Sequence, residues 1–173
     1  LSVYAEQINP SLSLVGLIVA SYGFTQLILR IPVGVATDRL GKRKPFVLAG
    51  ALFGALSCAA LLIAPEPWVL VLGRGLAGVA AACWVPLTVM LVATYPADQV
   101  VQATGMATTL SAVGMTVFSA LGGQLAEMTS VRVPLGVGIG LGLASAGLLA
   151  SVREPAATAG KPASVRELLS VGR

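Results

Sequence analysis

The sequence predicts an all-α membrane protein, an antiparallel transmembrane helix bundle with five full spans. Three observations carry that prediction. The 173 residues are 56% hydrophobic and 10% charged, with a mean hydropathy of +0.90, whereas a soluble domain carries about 25% charged residues. So few charges cannot cover a water-facing surface. Five apolar runs, near residues 12–37, 46–64, 68–94, 100–126 and 133–152, match the roughly 20 helical residues that cross a hydrocarbon core of about 30 Å. The connections "RLGKRKP", "PEP", "YPADQ" and "EMTSVR" are short, which makes successive helices antiparallel neighbours.

Taken in order, "LSVYAEQINP" at residues 1–10 is expected to be the last turns of an earlier helix and its exit loop. The chain starts at Leu1 without an initiating Met or a signal peptide, which suggests a fragment. The first full span holds Tyr22, Gln26, Arg30 and Pro32, and the third holds Arg74 and Pro86. Each proline marks an expected kink, because it removes a backbone donor inside a helix. Gly50/Gly54 in the second span, and Gly136/Gly140 and Gly138/Gly142 in the fifth, are small-xxx-small pairs. Such pairs let helix backbones approach closely in lipid. After Val152 the composition turns polar and rich in Ala and Pro, so residues 153–173 are expected to form a mobile linker. Ser164 followed by Glu167 is a capping-box pattern for a short helix near its end.

Charge gives the orientation. Arg39, Lys42, Arg43 and Lys44 crowd one turn, and Arg153, Lys161, Arg166 and Arg173 lie in the tail; together they make eight of the eleven cations. Four spans separate the two groups, so both face the same side, which the positive-inside rule makes cytoplasmic. Residues 39–45 and 153–173 are therefore expected in the cytoplasm of a bacterial plasma membrane protein. The "YPADQ" turn, with Asp98 and no cation, follows its neighbours. The net charge of +4 serves membrane orientation rather than nucleic acid, since aromatic residues are scarce and the cations spread over no polar face. With no His, His-based catalysis and His metal sites are excluded. Cys58 and Cys83 lie in apolar runs with no pairing or metal spacing, as packed thiols. No cofactor, no metal and no enzymatic chemistry is expected.

The turn "GVATDRLGKRK" at residues 34–44 holds more than topology requires. Its cations anchor it at the membrane surface. Asp38, however, stands at the negative end of its own helix dipole, where an acid is disfavoured. An acid kept there needs partners, such as Arg39, Arg43 or the N-terminus of another helix. Gly34-x-x-x-Asp38-Arg39-x-Gly41-Lys42-Arg43-Lys44 resembles the signature loop between helices 2 and 3 of major facilitator superfamily transporters, with Lys42 in a place often held by Arg. "LGRGLAGVAAA" at residues 72–82, with Arg74, Gly78, Ala80 and Ala81, resembles that family's helix 4 motif. The resemblance covers essentially the whole chain.

It implies that residues 1–152 form an N-terminal transmembrane domain truncated in its first helix, and that residues 153–173 lead to a missing C-terminal half. The substrate path lies between the two halves of such proteins. The partners it implies are a small-molecule substrate, the lipid bilayer and that second half. It also implies conformational gating by Gly34, Asp38, Arg39, Gly41, Lys42 and Arg43. A third motif is partial. Drug/proton antiporters of the family carry Gly-x-x-x-Gly-Pro-x-x-Gly-Gly in helix 5. Here "GMTVFSALGG" keeps Gly114, Gly122 and Gly123 but has Phe118 and Ser119 at the Gly-Pro positions, which leaves helix packing as the alternative for this stretch.

Charges inside the membrane cost roughly 2.5–3.5 kcal/mol on insertion scales and usually face a cavity or a partner. Tyr22, Gln26 and Arg30 recur every four residues on one helical face. Arg30 is about 12 Å deeper than Asp38 at 1.5 Å per residue. That stripe is expected to line the substrate cavity; the alternative for Arg30 is pairing with Asp38 or snorkelling to the surface. Arg74 lies roughly 9 Å below the outer surface, with no carboxylate inside any full span. Its expected partner is Glu6, a backbone carbonyl or a residue beyond this chain, in a coupling role by resemblance or as a polar tie between the family's helices 1 and 4. The function expected is secondary active transport of small organic solutes by alternating access, with proton-coupled efflux as one direction. Uptake of a sugar or organic anion is the other, and a non-transporting structural or signalling membrane protein is a different class that the polar stripe and Arg74 argue against.

Overall fold

A computed structural model describes residues 12–63 and 66–152. The earlier helix end expected at residues 1–10, Glu6 included, and the linker at 153–173 with its Ser164–Glu167 pattern lie outside the described residues. The described residues are helical, without strands, and hold five helices long and apolar enough to cross a membrane. They are α1 (Leu12–Leu40), α2 (Lys44–Ile63), α3 (Pro67–Ala82) with α4 (Trp84–Val92), α5 (Val100–Met128) and α6 (Arg132–Ser151). A short 3-10 turn, Ala97–Gln99, leads into α5. The resemblance noted above implies that α1 is the second helix of such a domain.

The helix ends follow local chemistry rather than hydropathy. The apolar run ends at Thr37, yet α1 continues to Leu40 and stops at Gly41. Gly41 has φ of 60°, the left-handed conformation that closes a helix and that glycine adopts without a Cβ penalty. Pro45 and Pro67 then occupy first-turn positions of α2 and α3, where a missing N–H costs nothing. The third span differs from the single helix expected. It divides at Cys83, where Pro86 offers no N–H to the Ala82 carbonyl. The Cys83 N–H instead donates to the Ala80 carbonyl at 3.2 Å, a tightened last turn. Pro32, by contrast, lies within an unbroken α1.

In lipid, helices gain little from hydrophobic burial against one another, so close packing and hydrogen bonds hold them together. α3 is the hub: α1 packs along one side of it and α2 along another, while α6 packs on α2. Val15, Ile18, Leu61 and Leu70 form a buried cluster near the starts of α1 and α3. The backbone approaches rest on glycine. A Cβ at Gly142 would lie 2.9 Å from the Ala55 Cβ, and one at Gly138 would lie 2.8 Å from the Cys58 Sγ. Of the two small-residue pairs on α6, then, Gly138/Gly142 faces α2, whereas Gly136 and Gly140 face open space. The Ser57 hydroxyl adds a buried hydrogen bond from α2 to the Gly73 carbonyl of α3, at 2.7 Å.

Candidate functional site

The turn between α1 and α2 is built from its glycine outward. Gly41 reverses the chain, and the Arg43 carbonyl accepts from the N–H groups of Phe46 and Val47, each at 3.1 Å, to start α2. The reversal brings the Arg43 guanidinium to 3.8 Å from the Asp38 carboxylate. That separation exceeds a hydrogen bond, and the Asp38 side chain is 64% exposed. An ion pair so wet holds weakly. Arg39 and Lys42 are exposed beside it. One turn earlier on α1, a Cβ at Gly34 would meet nothing within 4 Å. The Thr37 hydroxyl is buried and donates back to the Gly34 carbonyl at 2.7 Å.

Lys44 has a contact that sequence reasoning did not reach. Its ammonium donates to the Ala150 carbonyl at 2.7 Å, at the C-terminal end of α6, where a cation complements the helix dipole. The basic turn and the end of the last helix therefore lie at the same end of the bundle. The only sequence signal was the preference of C-terminal carbonyls for cations, and α6 has no basic residue in its own last turn.

The polar stripe on α1 divides. Tyr22 and Gln26 are half-buried, whereas Arg30 is exposed. Tyr22 meets Arg74: the guanidinium carbon lies 5.0 Å from the centre of the Tyr22 ring, within reach of a cation–π interaction. The Arg74 Nε is buried without a hydrogen-bond partner, and among the described residues Arg74 makes no ion pair. The tie to a tyrosine of α1 is a contact that the sequence placed on two separate helices without joining. Gly78, one turn beyond Arg74, makes it possible. A Cβ there would lie 2.5 Å from the Tyr22 carbonyl oxygen and 3.2 Å from the Gln26 nitrogen. Only hydrogen fits at that crossing.

A separate apolar groove of about 710 Å³ opens between α1 and α3, lined by Leu17, Phe24, Thr25, Leu72, Gly75 and Leu76 among others. Tyr22, Gln26, Arg30 and Arg74 do not line it. The helix 5 glycines are scattered too. A Cβ at Gly122 would lie 3.9 Å from the Pro134 Cβ on α6, while Gly114 and Gly123 meet open space.

Comparison with known proteins adds a family and one relative. The model of the Major Facilitator Superfamily matches residues 1–171. The chain is 42% identical over 67 residues to the protein named "Inner membrane transport protein YajR" of Escherichia coli (strain K12). The matched stretch covers 38% of this chain and 14% of that protein.

Proposed function

The chain belongs to the major facilitator superfamily of membrane transporters, and from that premise we propose that it is part of a secondary active transporter for small organic solutes. Residues 1–152 form its first transmembrane domain, and 153–173 lead to a second. The protein works by alternating access in a bacterial plasma membrane, with residues 39–45 and 153–173 in the cytoplasm. The similarity to an inner membrane transport protein supports that location.

The observation that carries the proposal is the half-satisfied acid at the end of α1. Asp38 faces its own helix dipole, pairs with Arg43 only at 3.8 Å, and stays largely exposed. An open flank at Gly34 lies beside it. A group so placed can gain a further partner in one conformation and lose it in another, which is how a contact biases a two-state equilibrium. Tyr22, Gln26 and Arg30 line the path to that gate, and Arg74 serves coupling. Proton-driven efflux is the direction we favour.

Transport by the whole protein tests this, with ethidium as the probe solute in energised vesicles. Arg30→Ala abolishes extrusion at normal membrane abundance, while Arg30→Lys retains part of it, because a mobile cation replaces a planar one. Normal extrusion by Arg30→Ala would make the stripe structural and remove it from the transport path.

A further inference from the structure

Arg74 presents a physical problem that the transporter reading leaves open. Its guanidinium lies inside the third span, its Nε is buried without a hydrogen-bond partner, and among the described residues no carboxylate pairs with it. An unpaired cation in a medium of low dielectric tends to swing towards water or headgroups along its flexible stem. The structure shows one group that opposes this, the face of the Tyr22 ring at 5.0 Å.

We infer that Tyr22 is a positioning residue, whose ring face holds the Arg74 guanidinium in place inside the membrane. The inference deepens the transporter reading and rests on it. The backbone supports the contact independently. Arg74 and Gly78 are four residues apart on α3, so they share a face one turn apart, about 6 Å along the axis. At Gly78 the α1 backbone from the Tyr22 carbonyl to the Gln26 nitrogen is pressed against α3. The same crossing that needs glycine therefore fixes where the Tyr22 ring leaves α1. Its hydroxyl plays no part in this. What matters is the negative face of the ring, strengthened by exclusion of water.

The ring and the hydroxyl can be separated by substitution. Tyr22→Phe keeps the face and Tyr22→Leu removes it, and both can be made in the whole transporter purified in detergent micelles. The first readout is the Nε–Hε resonance of Arg74, which a ring beneath it moves upfield. The upfield position is expected in the wild type and in Tyr22→Phe, and its loss in Tyr22→Leu. The second is ethidium extrusion. Tyr22→Leu is expected to lose roughly tenfold more in kcat than Tyr22→Phe, with KM little changed between the two variants, because only the leucine removes the ring face that holds Arg74. With Arg74→Leu already present, Tyr22→Leu adds no further loss, since coupled residues are not additive.

A wild-type resonance without the upfield position overturns the inference, as does a Tyr22→Phe variant that falls as far as Tyr22→Leu. Wild-type extrusion by Tyr22→Leu also overturns it. If the wild type moves no ethidium at all, the transport reading has failed at that solute. The resonances then decide by themselves whether the ring holds Arg74.

Discussion

The crossing of α1 with α3 and the long helix α5 use the same residue type to opposite effect. At the crossing, Gly78 touches the backbone of α1 and leaves no room for a single methyl group. On α5, Gly105, Gly114 and Gly123 meet nothing within 4 Å, and the helix buries only Ala103. Glycine therefore marks close approach only where a second helix is present to approach. α1, α2, α3 and α6 form a knit unit, held by glycine crossings and the Ser57–Gly73 hydrogen bond. α5 hangs at its edge, with its main contacts on α4, α6 and the turn before it. In this chain the polar groups of interest follow that division. Arg74 and Tyr22 are locked into the knit unit, whereas Asp38 stands at its open rim.

The largest effect expected from this contrast is at the crossing itself. Gly78→Val places its side chain against a backbone carbonyl that cannot rotate away, at a cost of about 3 kcal/mol or more, the upper end of overpacking. Gly105→Val on α5 meets no neighbour and stays within about 0.5 kcal/mol, as a surface change does. Thermal unfolding of the two variants in detergent measures the gap. Equal destabilisation would erase the distinction between the two regions.

The next effect is smaller and tests what besides close packing knits the unit. Ser57→Ala removes the hydroxyl that bonds the Gly73 carbonyl, a carbonyl that its own helix also serves. The loss expected is about 0.6 kcal/mol and no more than about 1.7 kcal/mol, the average and maximum for side-chain hydrogen bonds between membrane helices. A variant as stable as wild type would leave packing as the sole cement between α2 and α3.

Much of this was legible in the residues themselves. Composition and run length predicted five spans, and their cores agree with the helices observed. The apolar run stops at Thr37, three residues short of the end of α1, because helicity ends where Gly41 turns the chain. Pro86 marked a local fault in the third span, but not that the helix would divide, which depends on how Cys83 re-pairs with Ala80. The α6 glycines showed that a close contact exists. Which pair makes it, Gly138/Gly142 rather than Gly136/Gly140, depends on the side from which α2 arrives. The two contacts missed, Lys44 with the Ala150 carbonyl and Arg74 with Tyr22, each join residues far apart in sequence. Periodicity along one helix carries no information about such partners. Asp38 with Arg43 was legible because a single tight turn joins them.

The central claim is that Asp38, at the open rim, biases the transporter between two states. Accessibility at the rim tests it most directly. In the whole protein with Cys58→Ala and Cys83→Ala, a Val35→Cys substitution reports on a position of α1 that is exposed in this domain and lies one turn before Asp38. A closed cytoplasmic face covers it, and an open one admits a water-soluble thiol reagent. Asp38→Asn preserves the size of the side chain and removes its charge. It is expected to raise the labelling of Val35→Cys from the cytoplasmic side several-fold and to slow turnover, with solute binding in detergent little changed. Unchanged labelling together with normal transport would contradict the account and leave Asp38 with no role in gating.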